Sequence, residues 1–342
     1  MKTILFYVKM DDPSLFYTQR FYVNTKSLLE NLGYKVIVSH SVKDAWKKEY
    51  DGLFVFFYKR GVLPGIIAKV LGKKVFFYGG LDDLNTKTTP LFRYICTCIV
   101  VKLCIIVGDW CLVESKSDLT NIKKISFRKT HKNVYFSPQA IDVEKYNCNI
   151  KNKTMCFSTV AHLTKHNLMR KGVDISLYYF KCLLEHPQYK DSVYYIMGRP
   201  ASGKNYLEEI IKELDLGDRV IITGEIAEDK KIEILKKSKY YFQLSHYEGF
   251  GLAALEALAA KCRVFSSDNG GLHDTVGRDG IIINVDNFDY NLESIDNSFV
   301  ERMNEITDEH VEKTYERIKE AYDIPIRKKN FYNTICKSLQ VE

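Results

Sequence analysis

The sequence predicts an α/β protein of two doubly wound domains, each a parallel sheet flanked by helices, facing across a cleft. Three observations predict it. Short apolar runs rich in Val, Ile, Phe and Tyr alternate with amphipathic stretches along the chain, the pattern of repeated strand–helix–strand units. A length of 342 residues suffices for two domains that each bury a core. The polar stretch 147–153 separates two halves in which the alternation starts afresh. Ligands of such sheets sit beyond the carboxyl ends of the strands, so candidate functional residues lie in the loops that follow strands.

The first strand is read near 2–8. Its apolar run is too short for a signal-peptide core, ends in Lys9-Met10-Asp11-Asp12, and precedes no small-residue cleavage site. Further strands are expected near 34–39, 52–58, 74–78, 111–114 and 133–137, with helices Tyr22–Leu32, Leu63–Leu71 and Asp118–Lys124 among the connections. The run Tyr94–Val113 is long and apolar, but Lys102 and Asp109 interrupt it, and both are costly in hydrocarbon. A buried helix from Leu91 to Cys104 leading into a strand at Trp110–Val113 is expected there. In the second half, strands are expected at 155–160, 192–197, 219–223, 239–243, 262–266 and 280–284. Helices are expected at 172–185, 204–214, 228–237 and 252–260, followed by one long helix from Glu301 to Tyr322.

Composition is that of an ordinary globular chain, 46% hydrophobic and 27% charged. The nine cysteines, at 96, 98, 104, 111, 148, 156, 182, 262 and 336, are odd in number and show no paired zinc spacing. They read as reduced thiols of a cytoplasmic protein. Charge divides unevenly: residues 1–150 hold 23 Lys and Arg against 13 Asp and Glu, the remainder 27 against 30. A basic first half suits an anionic acceptor or an anionic membrane surface, peripheral on its inner face. A lysine-rich solvated surface is the plainer alternative. Nucleic acid is disfavoured as a partner, since no recognised binding motif is present.

Between Glu248 and Glu256 the chain reads Glu-Gly-Phe-Gly-Leu-Ala-Ala-Leu-Glu. Glycines let the backbone approach a ligand, and a helix starting near Leu252 aims free N–H groups and its positive dipole end there. Eight residues at helical rise span roughly 12 Å, the reach of a sugar, a diphosphate and a ribose. One carboxylate can take sugar hydroxyls and the other ribose hydroxyls, with phosphates between. Either carboxylate alone has a plainer role: Glu248 as a helix cap, Glu256 as a surface residue, although an unpaired charge in its apolar run would be costly.

This stretch resembles the E-x7-E signature of the family-4 retaining glycosyltransferases, which have the GT-B fold of two Rossmann-like domains. Val160-Ala161-His162-Leu163, Met169-Arg170-Lys171-Gly172-Val173-Asp174, Met197-Gly198, Arg219–Gly224, and Ser267–Leu272 through Asp279–Ile282 extend the likeness. It is strong over about residues 155–285 and weak over 1–150. The resemblance implies an acceptor-binding domain, 1–148, on which a C-terminal helix, about 325–342, packs back. A nucleotide-sugar donor-binding domain, 149–324, would follow. It implies catalytic roles for Lys171, Arg170 and Glu248, the cations stabilising a leaving diphosphate. Gly249, Phe250, Gly251, Leu252, Glu256, His162 and Ile226 would bind the donor, and no metal or other cofactor is implied.

Two departures from the family pattern stand out. His162 occupies a position where arginine is common, and histidine is mostly neutral at pH 7. After strand 74–78 the chain reads Tyr78-Gly79-Gly80-Leu81-Asp82-Asp83, without the family's histidine. Gly79, Gly80 and Asp82 are the candidates on the sugar or acceptor side. The implied activity is retaining transfer of a sugar from a UDP- or GDP-sugar to a hydroxyl of a glycan or lipid-linked acceptor, in surface polysaccharide or lipopolysaccharide biosynthesis. A sugar-nucleotide epimerase of the same fold and a nucleic-acid-modifying glycosyltransferase are the alternatives. Gly198–Lys204 matches seven positions of a phosphate-binding loop, but Asn205 replaces the magnesium-binding hydroxyl, so a connecting loop is expected.

Overall fold

The computed structural model describes residues 1–86, 88–125 and 132–336. It divides into two compact units. The first comprises 1–140 with 324–342, the second 141–323. The sequence reading drew its boundary after 148. The difference arises because Val143 and Tyr146 pack into the second unit's core beside Leu255, Leu258 and Tyr322.

Unit 1 holds six parallel strands: β1 (Thr3–Tyr7), β2 (Lys35–Ser39), β3 (Gly52–Phe56), β4 (Lys74–Tyr78), β5 (Trp110–Val113) and β6 (Val134–Phe136), in the order β2-β1-β3-β4-β5-β6. Leu5 pairs with Ile37 on one side and Leu53 on the other. Alternation along the strands sends Leu5, Tyr7, Leu53, Val55 and Phe77 into one core. Ile4, Phe6, Phe54, Phe56, Phe76 and Tyr78 enter the opposite one. Two covered faces explain why these strands read as continuous apolar runs. The last helix, Ile324–Phe331, packs in this unit: Phe331 joins the Phe54 core. Arg327 donates from Nη2 to the Tyr78 hydroxyl (2.9 Å) and to Thr25 Oγ1 (3.2 Å).

Unit 2 holds β7 (Thr154–Val160), β8 (Val193–Met197), β9 (Val220–Gly224), β10 (Ser238–Gln243), β11 (Arg263–Ser266) and β12 (Ile281–Ile282), all parallel, in the order β12-β11-β10-β7-β8-β9. The chain winds outward one way from β7 to β9, then crosses back to β10 on β7's other side. The β7–β10 boundary is therefore where the strand order reverses. In such sheets that boundary opens a ligand crevice at the carboxyl ends. Both sheets are those of the α/β architecture expected from the sequence.

Three expectations need correction. The helix after β4 runs Leu91–Val107 and is not buried as a whole. Thr97, Val101, Cys104 and Ile105 face the core, while Phe92, Ile95, Ile99, Leu103 and Ile106 are exposed. A helix on the outside of a sheet has one face to bury, and this one carries apolar residues on its outer face as well. The single helix expected at 301–322 is two, Ser298–Glu305 and Asp308–Tyr322. Ile306 turns extended, and Thr307 accepts from the His310 N–H to cap a new start with Asp308 and Glu309 in its first turn. The C-terminal helix expected over about 325–342 runs Ile324–Phe331 and turns into a π-helical segment at 332–336, and 337–342 lie outside the described residues. Among the described residues no helix is long and apolar enough to cross a membrane.

Candidate active site

β7 and β10 deliver the two halves of the site. Beyond β7, Thr164 caps the helix Lys165–Arg170, which ends in Arg170, Lys171 and Gly172. Gly172 has φ +61°, and a Cβ there would stand 1.9 Å from the Leu244 carbonyl oxygen, just past β10. Only glycine permits this approach. The His246 N–H then donates to the Arg170 carbonyl (2.8 Å), stitching the two loops together.

Arg170 and Lys171 consequently flank Glu248. Arg170 Nη1 lies 3.5 Å from Glu248 Oε2 and Lys171 Nζ 3.6 Å from Oε1, charge contacts longer than short hydrogen bonds. Arg170 is itself fixed by the Tyr247 carbonyl and by Asn167 Oδ1, each at 2.9 Å. Burial pushes the Glu248 carboxyl up. Lys171, then Arg170, then the Ser245 hydroxyl outweigh that and hold it below the usual carboxylate value.

A relay of buried donors also points at this carboxylate. Val160 N–H donates to the Tyr241 hydroxyl (3.1 Å), which donates to Gln243 Oε1 (3.2 Å). Gln243 Nε2 donates to Ser245 Oγ (2.8 Å), and Ser245 donates to Glu248 Oε2 (3.2 Å). Each hydrogen is oriented toward the negative end, an arrangement in which successive bonds reinforce one another.

The helix Leu252–Ala259 starts from Gly251, at φ +88°, with no side chain capping it. Its first backbone N–H groups therefore remain available to an anion. A Cβ on Gly271 would stand 2.3 Å from the Gly249 carbonyl oxygen, so the Asn269–Gly271 loop closes tightly over residues 248–250. Phe250 is buried beside Tyr322, which makes it a support for the turn. Leu252, Ile226 and Val160 are partly buried against one apolar cluster and offer an apolar rim.

One turn into that helix, Glu256 is 4% exposed. Its Oε2 lies 2.8 Å from Lys231 Nζ, which also meets Glu228 at 3.0 Å. Burial disfavours the Lys231 ammonium, but Glu256 and then Glu228 more than offset this and hold its pKa above the usual lysine value. Lys231 was not singled out from the sequence; its spacing from Glu228, i to i+3 at the start of a helix, is the only signal.

His162 is exposed, and its carbonyl accepts from Asn167 Nδ2 (2.7 Å). The phosphate-loop lookalike is a connection: the Gly203 N–H donates to the Leu163 carbonyl (2.9 Å), and Lys204 pairs with Glu208. Gly79, Gly80 and Asp82 lie in unit 1, beyond β4. Gly79 has φ +134°, and a Cβ on it would press on Phe57, itself at φ +70°. Asp82 is exposed. Asp83 pairs with Lys59 and with Arg93.

Unit 1 also contains a buried carboxyl that sequence reasoning missed. Glu114, just past β5, accepts from Gln139 Nε2 at 2.7 Å. Burial pushes it up to about 7 despite Gln139 and Arg327. Among the described residues no group of three or more metal-binding side chains is clustered, and the cysteines at 96, 98, 104, 111, 148, 156, 182 and 262 are free.

Comparison with known proteins gives the geometry a setting. The family model for glycosyl transferases group 1 matches residues 141–322. Mannosylfructose-phosphate synthase of Agrobacterium fabrum is 31% identical over 85 residues, 25% of this chain and 19% of that enzyme. The present chain thus aligns with about a fifth of that relative's length. Sucrose-phosphate synthase from Thermosynechococcus elongatus superposes with a TM-score of 0.77 at 15% identity, covering 100% of both chains. Anabaena HepE in complex with UDP-glucose gives 0.74 at 15%, covering 98% of this chain and 100% of that one. At these identities the likeness establishes the fold, GT-B.

Proposed function

Because this chain belongs to the group 1 glycosyl transferases, we propose that it moves a sugar from a nucleoside-diphosphate sugar to an acceptor hydroxyl, using the β7–β10 crevice of unit 2. The observation that carries the reading is Glu248 held between Arg170 and Lys171 beside an uncapped helix N-terminus. The two cations and the helix N–H groups suit a diphosphate, and stabilise the charge that grows on it as the glycosidic bond breaks. Glu248 is kept ionised to accept sugar hydroxyls, and Glu256, through the oxygen not engaged by Lys231, accepts ribose hydroxyls. Ile226, Leu252 and Val160 offer the base an apolar rim.

The finer points of the proposal are retention of anomeric configuration, by departure and attack on one face, and catalysis without a metal. The acceptor is a glycan or lipid-linked glycan of a surface polysaccharide pathway, met at the cytoplasmic face of an anionic membrane. UDP- and GDP-linked hexoses are the donors to try, since HepE was crystallised with UDP-glucose.

A thermal-shift screen of nucleoside diphosphates tests the donor site, because a ligand at 100 times its dissociation constant stabilises by about 2.7 kcal/mol. Transfer assays with and without a chelator follow for the diphosphate that shifts the transition. No shift with any diphosphate overturns the donor reading. Epimerised sugar nucleotide released without an acceptor would make the protein an epimerase.

A further inference from the structure

We propose that Lys231 relaxes the donor site's demand for a second ribose hydroxyl. The site then takes deoxyribonucleoside diphosphates, and sugars linked to them, nearly as well as their ribose counterparts. This rests on the donor reading above, with Glu256 as the acceptor of ribose hydroxyls, and names the residue that sets the nucleotide class.

Lys231 stands where its helix calls for an apolar residue. On the helix Glu228–Lys237, Ile234 and Leu235 turn into the apolar cluster that also holds Leu255 and Leu258. Lys231 lies three and four positions ahead of them, on the same face, and its side chain is 14% exposed. Its Nζ meets Glu256 Oε2 at 2.8 Å and Glu228 Oε1 at 3.0 Å. The Tyr146 hydroxyl joins the group, donating to Glu228 Oε1 at 3.4 Å. Burial, then the charges of Glu256 and Glu228, push that phenol's pKa up and keep it a donor. A buried ion pair is a weak device for stability, and apolar side chains of similar volume would serve the packing equally well. A role exerted on Glu256 accounts for the charge.

A carboxylate accepts hydrogen bonds and never donates. The two vicinal hydroxyls of a ribose use it fully by donating one to each oxygen, in bonds strengthened by its negative charge. At Glu256 one oxygen already takes the ammonium, and the charge of the whole group is partly balanced. The first hydroxyl has the other oxygen to itself. The second must share Oε2 with Lys231. A bond to a balanced acceptor is worth about half of one to a free ion, so a sugar lacking that hydroxyl loses little.

The experiment compares matched pairs by calorimetry at pH 8: uridine diphosphate with deoxyuridine diphosphate, and guanosine diphosphate with deoxyguanosine diphosphate. The wild type should prefer the ribose member by less than about tenfold. Lys231→Met leaves Oε2 bare and should raise that preference at least about fivefold. Lys231→Gln keeps a hydrogen bond and drops the charge. It should move the ratio the same way, and it decides the matter where the methionine variant fails to fold. Each ratio is taken within one protein, so a general weakening of the site cancels from it. A wild type that prefers ribose by more than about tenfold overturns the inference. So does a ratio that rises by less than about fivefold in every folded variant. If none of the four diphosphates binds the wild type, the donor reading falls and this inference with it. Binding with an unmoved ratio sinks this inference alone.

Discussion

Gly172 and Leu244 approach so closely that a Cβ on the glycine would stand 1.9 Å from the leucine carbonyl oxygen. That contact sets Arg170 and Lys171 against Glu248. Gly172→Ala should cost at least about 2 kcal/mol, since the new methyl meets backbone and the φ of +61° strains any other residue. It should also weaken diphosphate affinity by spreading the two loops. Urea denaturation and calorimetry measure the two effects, and wild-type values in both would remove this contact from the account.

Lys171→Ala should lower turnover by about 10² or more, because positive charge is lost where leaving-group charge develops. This side chain is 15% exposed against a carboxylate equally covered. Some loss of stability therefore accompanies the loss of rate, with Arg170 still beside Glu248. Transfer rates and thermal transitions are to be read together for Lys171→Ala and Arg170→Ala. An active Lys171→Ala with an inactive Arg170→Ala assigns the role to the arginine.

Glu256→Gln should weaken diphosphate binding by roughly 1–3 kcal/mol through loss of a charged acceptor. The same change strips Lys231 of one buried partner, so stability drops as well. Lys231→Met breaks the pair but spares the carboxylate, and separates the two effects. Unchanged affinity in Glu256→Gln, by calorimetry, would falsify the ribose role.

Glu114 gives a pH signature. Its folded pKa, near 7, lies above the ordinary value of 4.5, so between these values the folded chain binds more protons than the unfolded one. The stability this group contributes is present below about pH 4.5 and is lost as pH rises through 7, on the order of 3 kcal/mol. Glu114→Gln should flatten this slope and raise the melting temperature at pH 8 more than at pH 5. Scans at both pH values check the sign, and parallel shifts would show that the carboxyl does not titrate there.

The sequence carried the second unit well, because its information is local. Gly249 and Gly251 around Phe250, the uncapped start at Leu252, and Lys171 ahead of Gly172 are visible within short windows. The relay from Val160 through Tyr241, Gln243 and Ser245 was illegible, since its order comes from β7 lying beside β10, strands about eighty residues apart in the chain. Lys231 was missed for a like reason: its partner Glu256 lies 25 positions on. The helix break at Ile306–Thr307 was hidden because the amphipathic pattern continues through it, while Thr307, a good capping residue, carried the only local signal. The outward stripe of Leu91–Val107 was misread because periodicity cannot distinguish a helix buried all round from one with a bare apolar face.

Ile141 pairs with Asp323, and the Ile141 N–H donates to the Tyr322 carbonyl (3.1 Å). Residues 141–323 therefore leave and re-enter the rest of the chain at a single spot. Topologically they are an inserted cassette with its two seams side by side, and the family match, 141–322, runs almost from seam to seam. Chain ends that already touch are tolerant of excision, transplantation and circular permutation. If the donor site lies in this unit as proposed, transplanting it between relatives as one block should carry the choice of sugar nucleotide with it, with only two adjacent joints to keep.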